Sequence, residues 1–206
     1  MYFHKTSFVL GFHGCDESIR DALLKGEIAL HYSTNEWDWL GHGMYFWESS
    51  PLRALEYAIE LKNNPHRTAG KIEKPSVIGA IIDLGNCFDL LQHENLKVLK
   101  ETYDILQLTY QSSGIQPPKN RISKETGELL IRKLDCLLIN AVHEYKEKLN
   151  IDELYDSVRG VFFEGPELYP NAGFREKNHV QLCVRNPNCI KGYFLPRELD
   201  TRYRIP

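Results

Sequence analysis

The sequence predicts an α+β domain, because apolar segments of strand length gather towards both ends of the chain and helical periodicity fills the middle. Apolar runs bounded by glycine, proline or asparagine occur before residue 50, at 76–84 and after about residue 157. Between about 90 and 150 the apolar residues recur at helical spacing instead. Strands that are segregated from helices along the chain favour the α+β class.

Composition is typical of an ordinary globular protein without a bulk charge bias. The 206 residues are 42% apolar and 26% charged, and the formal net charge is −3. We therefore expect a single domain over residues 1–206, with a helical insertion at about 90–150. No segment has the ~18 apolar residues that span a bilayer, and the N-terminal pattern is not that of a signal peptide, so we expect a cytoplasmic protein without a membrane partner.

The cysteine pattern favours buried, reduced thiols. The five cysteines are odd in number, and no pair has C-x-x-C spacing. The sequence therefore predicts neither a disulfide framework nor a metal site. The five are Cys15, Cys87, Cys136, Cys183 and Cys189.

The first predicted unit is a strand followed by a helix. Residues 7–14 form a short apolar run closed by glycines, which indicates a strand entering a turn. Asp16 or Ser18 can cap a helix that extends to about Lys25. Gly26 is a suitable residue to end that helix, since glycine adopts the left-handed conformation common after helix C-termini.

A second strand and helix follow a turn-rich segment. Residues 33–43 combine turn formers with aromatic residues, and we expect a loop with buried anchors. The tryptophans in and after this loop, including Trp47, are expected to be packing residues. A short strand is predicted at 44–47. Pro51 then takes the first position of a helix that reaches about Asn63.

The central part of the chain combines the most apolar strand with two long helices. Residues 76–84 give the strongest buried-strand pattern in the chain. Helical periodicity extends over about 90–111 and again over about 129–149. The stretch between them contains a glycine and two prolines and is predicted to be a surface loop.

The C-terminal part is predicted to consist of strands and one long loop. Residues 158–163 indicate a strand, and 165–174 have turn chemistry throughout. Strands are predicted at 179–184 and 190–194. The intervening Asn-Pro-Asn at 186–188 predicts that these two strands form a hairpin.

Three motifs, in this order, resemble the diphtheria-toxin-like ADP-ribosyltransferases, a family identified by a His-Tyr-Glu triad spread over three strands. Residues 11–14 (GFHG) are similar to the first strand of the family, where a His followed by a small residue opens the NAD cleft. Residues 41–46 (GHGMYF), followed by 49–51 (SSP) and a helix, resemble its Gly-x-Gly-hydrophobic-Tyr-Phe strand. Residues 179–181 (HVQ), after a glycine-containing loop, resemble its third strand.

The resemblance implies a split β-sheet fold with an NAD cleft between these segments. His13 would hydrogen-bond the adenosine ribose, and the backbone of Gly14 would hold the nicotinamide carboxamide. Tyr45 and Tyr57 would contact the two sides of the nicotinamide ring. Gln181 stands where the family usually has Glu, and its amide would bind the ribose hydroxyls. NAD would be a co-substrate, and no metal is implied.

The amide of Gln181 can bind the ribose but cannot remove a proton from an acceptor. Other late carboxylates, at Glu164, Glu167 and Glu176, lie in or before the loop that precedes the strand. Three possibilities therefore stay open. The acceptor is already nucleophilic, or another group such as Glu176 or His179 deprotonates it, or catalysis is weak or lost.

The leading expectation is a transferase that cleaves the nicotinamide–ribose bond and passes ADP-ribose to a macromolecule. The acceptor would be a protein or a nucleic acid, and the protein an intracellular toxin or stress effector. The loop from Gly165 to Asn178 would contact the acceptor, because its aromatic and basic residues suit bases and phosphates as well as a protein surface. The alternatives are an NAD glycohydrolase, an inactive module that binds NAD or ADP-ribose, and, more remotely, a phosphotransferase acting on RNA 2′-phosphates.

Overall fold

A computed structural model describes residues 8–68, 70–123, 127–149, 154–198 and 200–204. Across these ranges, seven strands form one mixed sheet flanked by four α-helices. This architecture confirms the α+β class.

Six of the seven strands and the four α-helices follow the predicted order, whereas the short strand at Cys87–Asp89 was not predicted. The strands are β1 (Phe8–Asp16), β2 (Met44–Glu48), β3 (Pro75–Asp83), β4 (Cys87–Asp89), β5 (Ser157–Phe162), β6 (His179–Val184) and β7 (Ile190–Phe194). The helices are α1 (Glu17–Leu24), α2 (Pro51–Asn63), α3 (His93–Ser113) and α4 (Lys133–Leu149). The sheet order is β4-β5-β6-β2-β1-β3-β7, in which β4 and β5 are parallel and the other neighbours antiparallel.

Local capping signals set the ends of three helices, as predicted for the first two. The Asp16 side chain accepts a hydrogen bond from the Ser18 backbone N–H at 3.0 Å and caps α1. Pro51 begins α2, where its missing N–H costs nothing. Gly114, with φ of 68°, ends α3 in the left-handed conformation.

Both faces of the sheet are covered by helices. On one face α2 packs over β1 and β3 and touches β2, and α4 packs over β5 and β6; Ala54 and Val142 are their buried contact residues. On the other face Leu23 of α1 joins a cluster that contains Phe46 and Leu182. Burial of each of the larger side chains among these, those of Val142, Leu23, Phe46 and Leu182, contributes about 1.5–3 kcal/mol. The face that carries α2 and α4, here called the α2–α4 face, also carries the candidate site.

The predicted hairpin between the last two strands is wrong. β6 pairs with β2 and β5, whereas β7 pairs with β3 at the opposite edge of the sheet. The Asn-Pro-Asn segment does make a turn, since the Asn186 side chain accepts from the Asn188 N–H at 3.1 Å. Turn chemistry fixes a local change of direction, but the partner of the next strand is chosen by distant residues of β3.

The central helices belong to the core rather than to a separate appendage. Ile139 of α4 is buried against Phe88 and Val158 of the sheet, and α3 packs on α4. α4 begins at Lys133, later than predicted, where the Asn120 side chain accepts from the N–H of Leu134 at 2.9 Å. No helix within the described ranges is long and apolar enough to cross a membrane.

The cysteines are free, as their spacing predicted. Four of the five thiols are buried and Cys87 is partly buried. Burial raises the pKa of the Cys87 thiol to about 11, so this thiol is protonated and unreactive at neutral pH.

Acidification should destabilise the fold through a buried neutral histidine. His143 of α4 is 2% exposed, and burial, followed by the charge of Arg185, lowers its pKa to about 3. The unfolded chain takes up this proton near pH 6.5, so the stability contributed by the neutral form is present above pH 6.5 and is lost as the pH falls towards 3. His143→Leu should therefore reduce the loss of unfolding free energy between pH 7 and pH 5 by about 2 kcal/mol.

Urea denaturation at the two pH values measures this difference. The exposed His66 offers a matched control, and His66→Leu should leave the loss unchanged. Equal losses in the wild type and in His143→Leu would contradict the burial of a neutral imidazole.

Candidate functional site

The three motif-bearing strands are neighbours in the sheet, in the order β6-β2-β1. Tyr45 of β2 pairs with Cys183 of β6, and Trp47 pairs with Gln181. Trp47 also pairs with Phe12 of β1. Because paired residues of neighbouring strands project to the same face, Tyr45 and Gln181 both lie on the α2–α4 face.

β1 and β2 separate within the sheet. Their ladder consists of two pairs, Gly11–Glu48 and Phe12–Trp47. Beyond them β1 continues along β3 as far as Asp16, and β2 continues along β6 as far as Met44. The two strands therefore leave a gap between them, here called the β1–β2 gap.

The backbone of Gly14 points into the β1–β2 gap. The carbonyl of Leu10 accepts from the N–H of Ser49 at 2.8 Å, on the side of β1 that faces β2. Alternate residues of a strand direct their N–H and C=O to the same edge, so Gly14, four residues later, directs both groups to that side. A donor and an acceptor on one residue suit the carboxamide that the resemblance implies here.

Gly14 is also required for packing. A Cβ atom at this position would lie 2.0 Å from the carbonyl oxygen of Ala54 in α2. The missing side chain thus lets α2 lie directly on β1, on the same face as Tyr45. Towards the β1–β2 gap, Gly14 therefore presents only its backbone N–H and C=O groups.

The His13 side chain forms a hydrogen bond across the β1–β2 gap. Its Nδ1 lies 2.8 Å from the carbonyl oxygen of Tyr45, and because a carbonyl only accepts, Nδ1 carries the proton. Burial lowers the pKa of His13 and outweighs this hydrogen bond, so the ring is neutral with Nε2 as an acceptor. The ring packs edge-on against Phe46 at 6.0 Å, on the face opposite that of Tyr45 and Gln181. His13 therefore borders the gap from the other face.

Tyr45 is held by its hydroxyl. The hydroxyl donates to the Gly41 carbonyl at 2.6 Å and accepts from the Leu40 N–H at 2.9 Å, and burial raises its pKa. Both bonds return to the loop that precedes β2, so the ring is fixed in one orientation. What Tyr45 can offer a ligand is the ring itself rather than its hydroxyl.

Tyr45→Phe should lower the unfolding free energy by about 1–3 kcal/mol, because the Leu40 N–H and Gly41 carbonyl lose a buried partner. Chemical denaturation measures the change. Tyr193→Phe is the matched control, since the Tyr193 hydroxyl forms no hydrogen bond with the described residues. A loss of equal size in both variants would contradict the anchoring of Tyr45.

Tyr57 contacts Trp47. The two rings lie 4.9 Å apart, and Tyr57 packs with the cluster of Phe12, Trp47 and Ala54, whereas Tyr45 packs with a different cluster. Burial raises the pKa of Tyr57. In this conformation the aromatic ring beside Gln181 is Trp47, which the sequence assigned to packing alone.

Gln181 presents a free amide on the α2–α4 face. Its residue is half-buried, and its side chain forms no hydrogen bond with the described residues. On β5 its neighbour is Gly160, and the Leu40 side chain packs over that glycine, 2.9 Å from where a Cβ would lie. The amide is therefore available to a ligand.

Beside Gln181 lies a buried charged group that the sequence did not predict. Arg53 of α2, 6% exposed, donates through Nη2 to Glu164 at 2.9 Å. The same carboxylate oxygen lies 3.9 Å from Nδ1 of His179, and that nitrogen donates to the Lys177 carbonyl at 2.6 Å. Burial lowers the pKa of His179, so its Nε2 is an unprotonated acceptor. Glu176, the other base considered, is exposed in the loop.

One sequence signal could have indicated part of this group. Arg53, Tyr57 and Glu60 recur at i, i+4 and i+7 and so share one face of α2. A helix face that carries a cation, an aromatic ring and an anion is unusual for one packed on a sheet. Their partners, Glu164 and Lys177, are more than a hundred residues away and have no local signature.

Comparisons with known proteins do not extend these observations. Scans of protein-family models, of curated proteins and of solved structures found no match to this chain.

Proposed function

We propose that this protein is an ADP-ribosyltransferase that cleaves the nicotinamide–ribose bond of NAD and transfers ADP-ribose to a macromolecule. The observation that carries the proposal is the β1–β2 gap. The backbone N–H and C=O of Gly14 face the gap, β2 on the other side of the gap carries the fixed ring of Tyr45, and the free amide of Gln181 lies on the adjoining strand β6. These groups match the nicotinamide carboxamide, the nicotinamide ring and the ribose hydroxyls.

In this proposal the leaving group needs no acid. Nicotinamide carries a positive charge in NAD and departs neutral, so the bond breaks through a transition state that resembles an oxocarbenium ion. Gly14 would hold the carboxamide and Tyr45 would contact the ring. Gln181 would bind the ribose hydroxyls, and its bonds promote reaction to the degree that they strengthen as positive charge develops.

His13 would act from the far side of the gap. The hydrogen bond from its Nδ1–H to the Tyr45 carbonyl fixes the imidazole ring, so the direction of the Nε2 lone pair is set before a ligand binds. A neutral imidazole acceptor can take a hydrogen bond from a ribose hydroxyl, which agrees with the adenosine-ribose role that the resemblance implies.

The target loop, residues 163–178, would meet the acceptor. It begins directly after β5 and ends at β6, so it lies next to Gln181. Its side chains at Phe163, Tyr169 and Phe174 are each more than half exposed. Exposed rings on a loop beside the reaction centre suit a base or an apolar side chain of an acceptor.

Incubation of the full chain with NAD labelled in its adenylate part tests the proposal. We expect release of nicotinamide together with label on a macromolecule in a cell extract. Treatment with protease or nuclease then assigns the acceptor to protein or nucleic acid.

Two other results would contradict transfer. Free ADP-ribose as the sole labelled product would make the protein a glycohydrolase. NAD binding measured by calorimetry without any release of nicotinamide would make it a binding module.

A further inference from the structure

Four buried polar atoms near Gln181 have no hydrogen-bond partner among the described residues. They are Nε and Nη1 of Arg53, Nε1 of Trp47 and Nε2 of His179. The three side chains are neighbours, since the Arg53 guanidinium lies 5.9 Å from the Trp47 ring centre and the Trp47 and His179 rings lie 6.4 Å apart. Buried polar atoms are nearly always paired, so several unpaired atoms at one place indicate a missing partner.

The unpaired donors at this place are of the kind that an anion with several oxygens satisfies. Three of the four atoms are N–H donors, and Glu164 takes only the third nitrogen of Arg53, Nη2. Glu56 lies 3.8 Å from Nη1, beyond hydrogen-bond distance, and its side chain is 46% exposed. Arg132 acts electrostatically on both Glu164 and His179, and its own nearest carboxylate, Asp135, lies 3.6 Å away.

A guanidinium satisfies its nitrogens best with a planar or tetrahedral oxyanion that accepts two or more bonds at once. One oxygen of Glu164 leaves most of that capacity unused. A phosphate group offers three or four oxygens and more negative charge, and so would satisfy the Arg53 donors more completely.

We propose that Arg53 is a binding site for a phosphate group and that Glu164 occupies this site only while the ligand is absent. The inference rests on the proposed function in one respect: it takes the ligand to be the diphosphate of NAD. Glu164 is then an internal competitor carried by the target loop. Binding of the diphosphate would break the ion pair that joins that loop to Arg53 of α2.

The target loop is built to move as one piece. It is bonded within itself, through Leu168 N–H to the Phe174 carbonyl at 3.1 Å and Lys177 N–H to the Glu164 carbonyl at 2.9 Å. Its polar links to α2 are the ion pairs Arg53–Glu164 and Glu60–Lys177. The Gly165 N–H of the loop also donates to the Glu128 side chain. Exchange of the Glu164 carboxylate for a phosphate would break one of these links and leave the internal bonds of the loop intact.

Titration of the full chain with inorganic pyrophosphate, with binding measured by isothermal titration calorimetry, tests the site. Glu164→Gln should tighten binding about tenfold or more, because it removes the competing charge and keeps the shape of the side chain. The double variant Arg53→Gln with Glu164→Gln should abolish binding. It leaves no unpaired buried ion, so it is expected to fold.

Glu60→Gln is the matched control, since it removes the other ion pair of the loop without touching Arg53. It should change pyrophosphate affinity by less than about threefold, as expected for a partly exposed pair. Tightening equal to that of Glu164→Gln would overturn the proposal, because loop release alone would then explain it. Unchanged affinity in Glu164→Gln, or binding retained in the double variant, would overturn it too.

Two further titrations separate the possible outcomes. If NAD is turned over but pyrophosphate binding does not depend on Arg53, the phosphate site is wrong and the proposed function stands. If pyrophosphate binding depends on Arg53 but NAD is neither bound nor consumed, the proposed function fails and the site stands. Dependence seen only with a short single-stranded oligonucleotide would assign the site to a nucleic-acid backbone and overturn the diphosphate assignment.

Discussion

Gln181→Ala should lower the turnover of NAD about a hundredfold or more, with a much smaller effect on NAD affinity. The proposed bonds from the amide to the ribose hydroxyls strengthen in the transition state, so their loss affects kcat more than binding. The amide has no partner among the described residues, so the unfolding free energy should change by less than about 0.5 kcal/mol. Steady-state kinetics of nicotinamide release, paired with denaturation curves, measure both quantities.

Two companion variants make this result interpretable. Gln181→Glu keeps a ribose acceptor and adds a base, so it should retain nicotinamide release and increase transfer to acceptors that need deprotonation. Gln92→Ala makes the same chemical change at an exposed residue before α3 and should leave turnover unchanged. Wild-type turnover in Gln181→Ala would remove this residue from the site.

Gly14→Ala should destabilise the fold by about 3 kcal/mol or more. The added Cβ would lie 2.0 Å from the carbonyl oxygen of Ala54, which is backbone within α2 and cannot rotate away. Relief therefore requires α2 to move off β1. Because α2 carries Arg53 and Tyr57, we expect NAD turnover to fall in any protein that still folds. Urea denaturation measures the loss of stability.

Gly192→Ala in β7 is the control for this substitution. Nothing lies within 4 Å of a Cβ built at Gly192, so alanine should be neutral or slightly stabilising there. A Gly14→Ala variant as stable as the wild type would mean that α2 does not rest on β1, and the arrangement of the candidate site would then be wrong.

The strands that carry the three motifs could be predicted from the sequence, because each motif lies on its own apolar run. His13, Tyr45 and Gln181 were assigned to three separate strands, and β1, β2 and β6 are adjacent in the sheet. Their orientation could not be predicted to the same degree. Whether a residue faces one side or the other depends on strand register, and His13 proves to border the gap from the face opposite that of Tyr45 and Gln181.

Tyr57 shows why individual contacts were harder to predict. Its place on α2 follows from helical periodicity, but the ring that it contacts is set by how α2 crosses the sheet. That crossing depends on the absence of a side chain at Gly14. The sequence shows the glycine and the tyrosine, but it does not show that one controls the neighbour of the other.

The α+β class, most element boundaries and the strand assignment of each motif follow from the amino-acid sequence alone. These follow from interactions within a few residues, such as the Asp16 cap, the proline that begins α2 and the apolar run of β3. The pairing of β7 with β3 and the contact of Arg53 with Glu164 could be found only in the folded protein. Such contacts join residues about a hundred positions apart, and their energy depends on the packing of the whole sheet rather than on any local pattern.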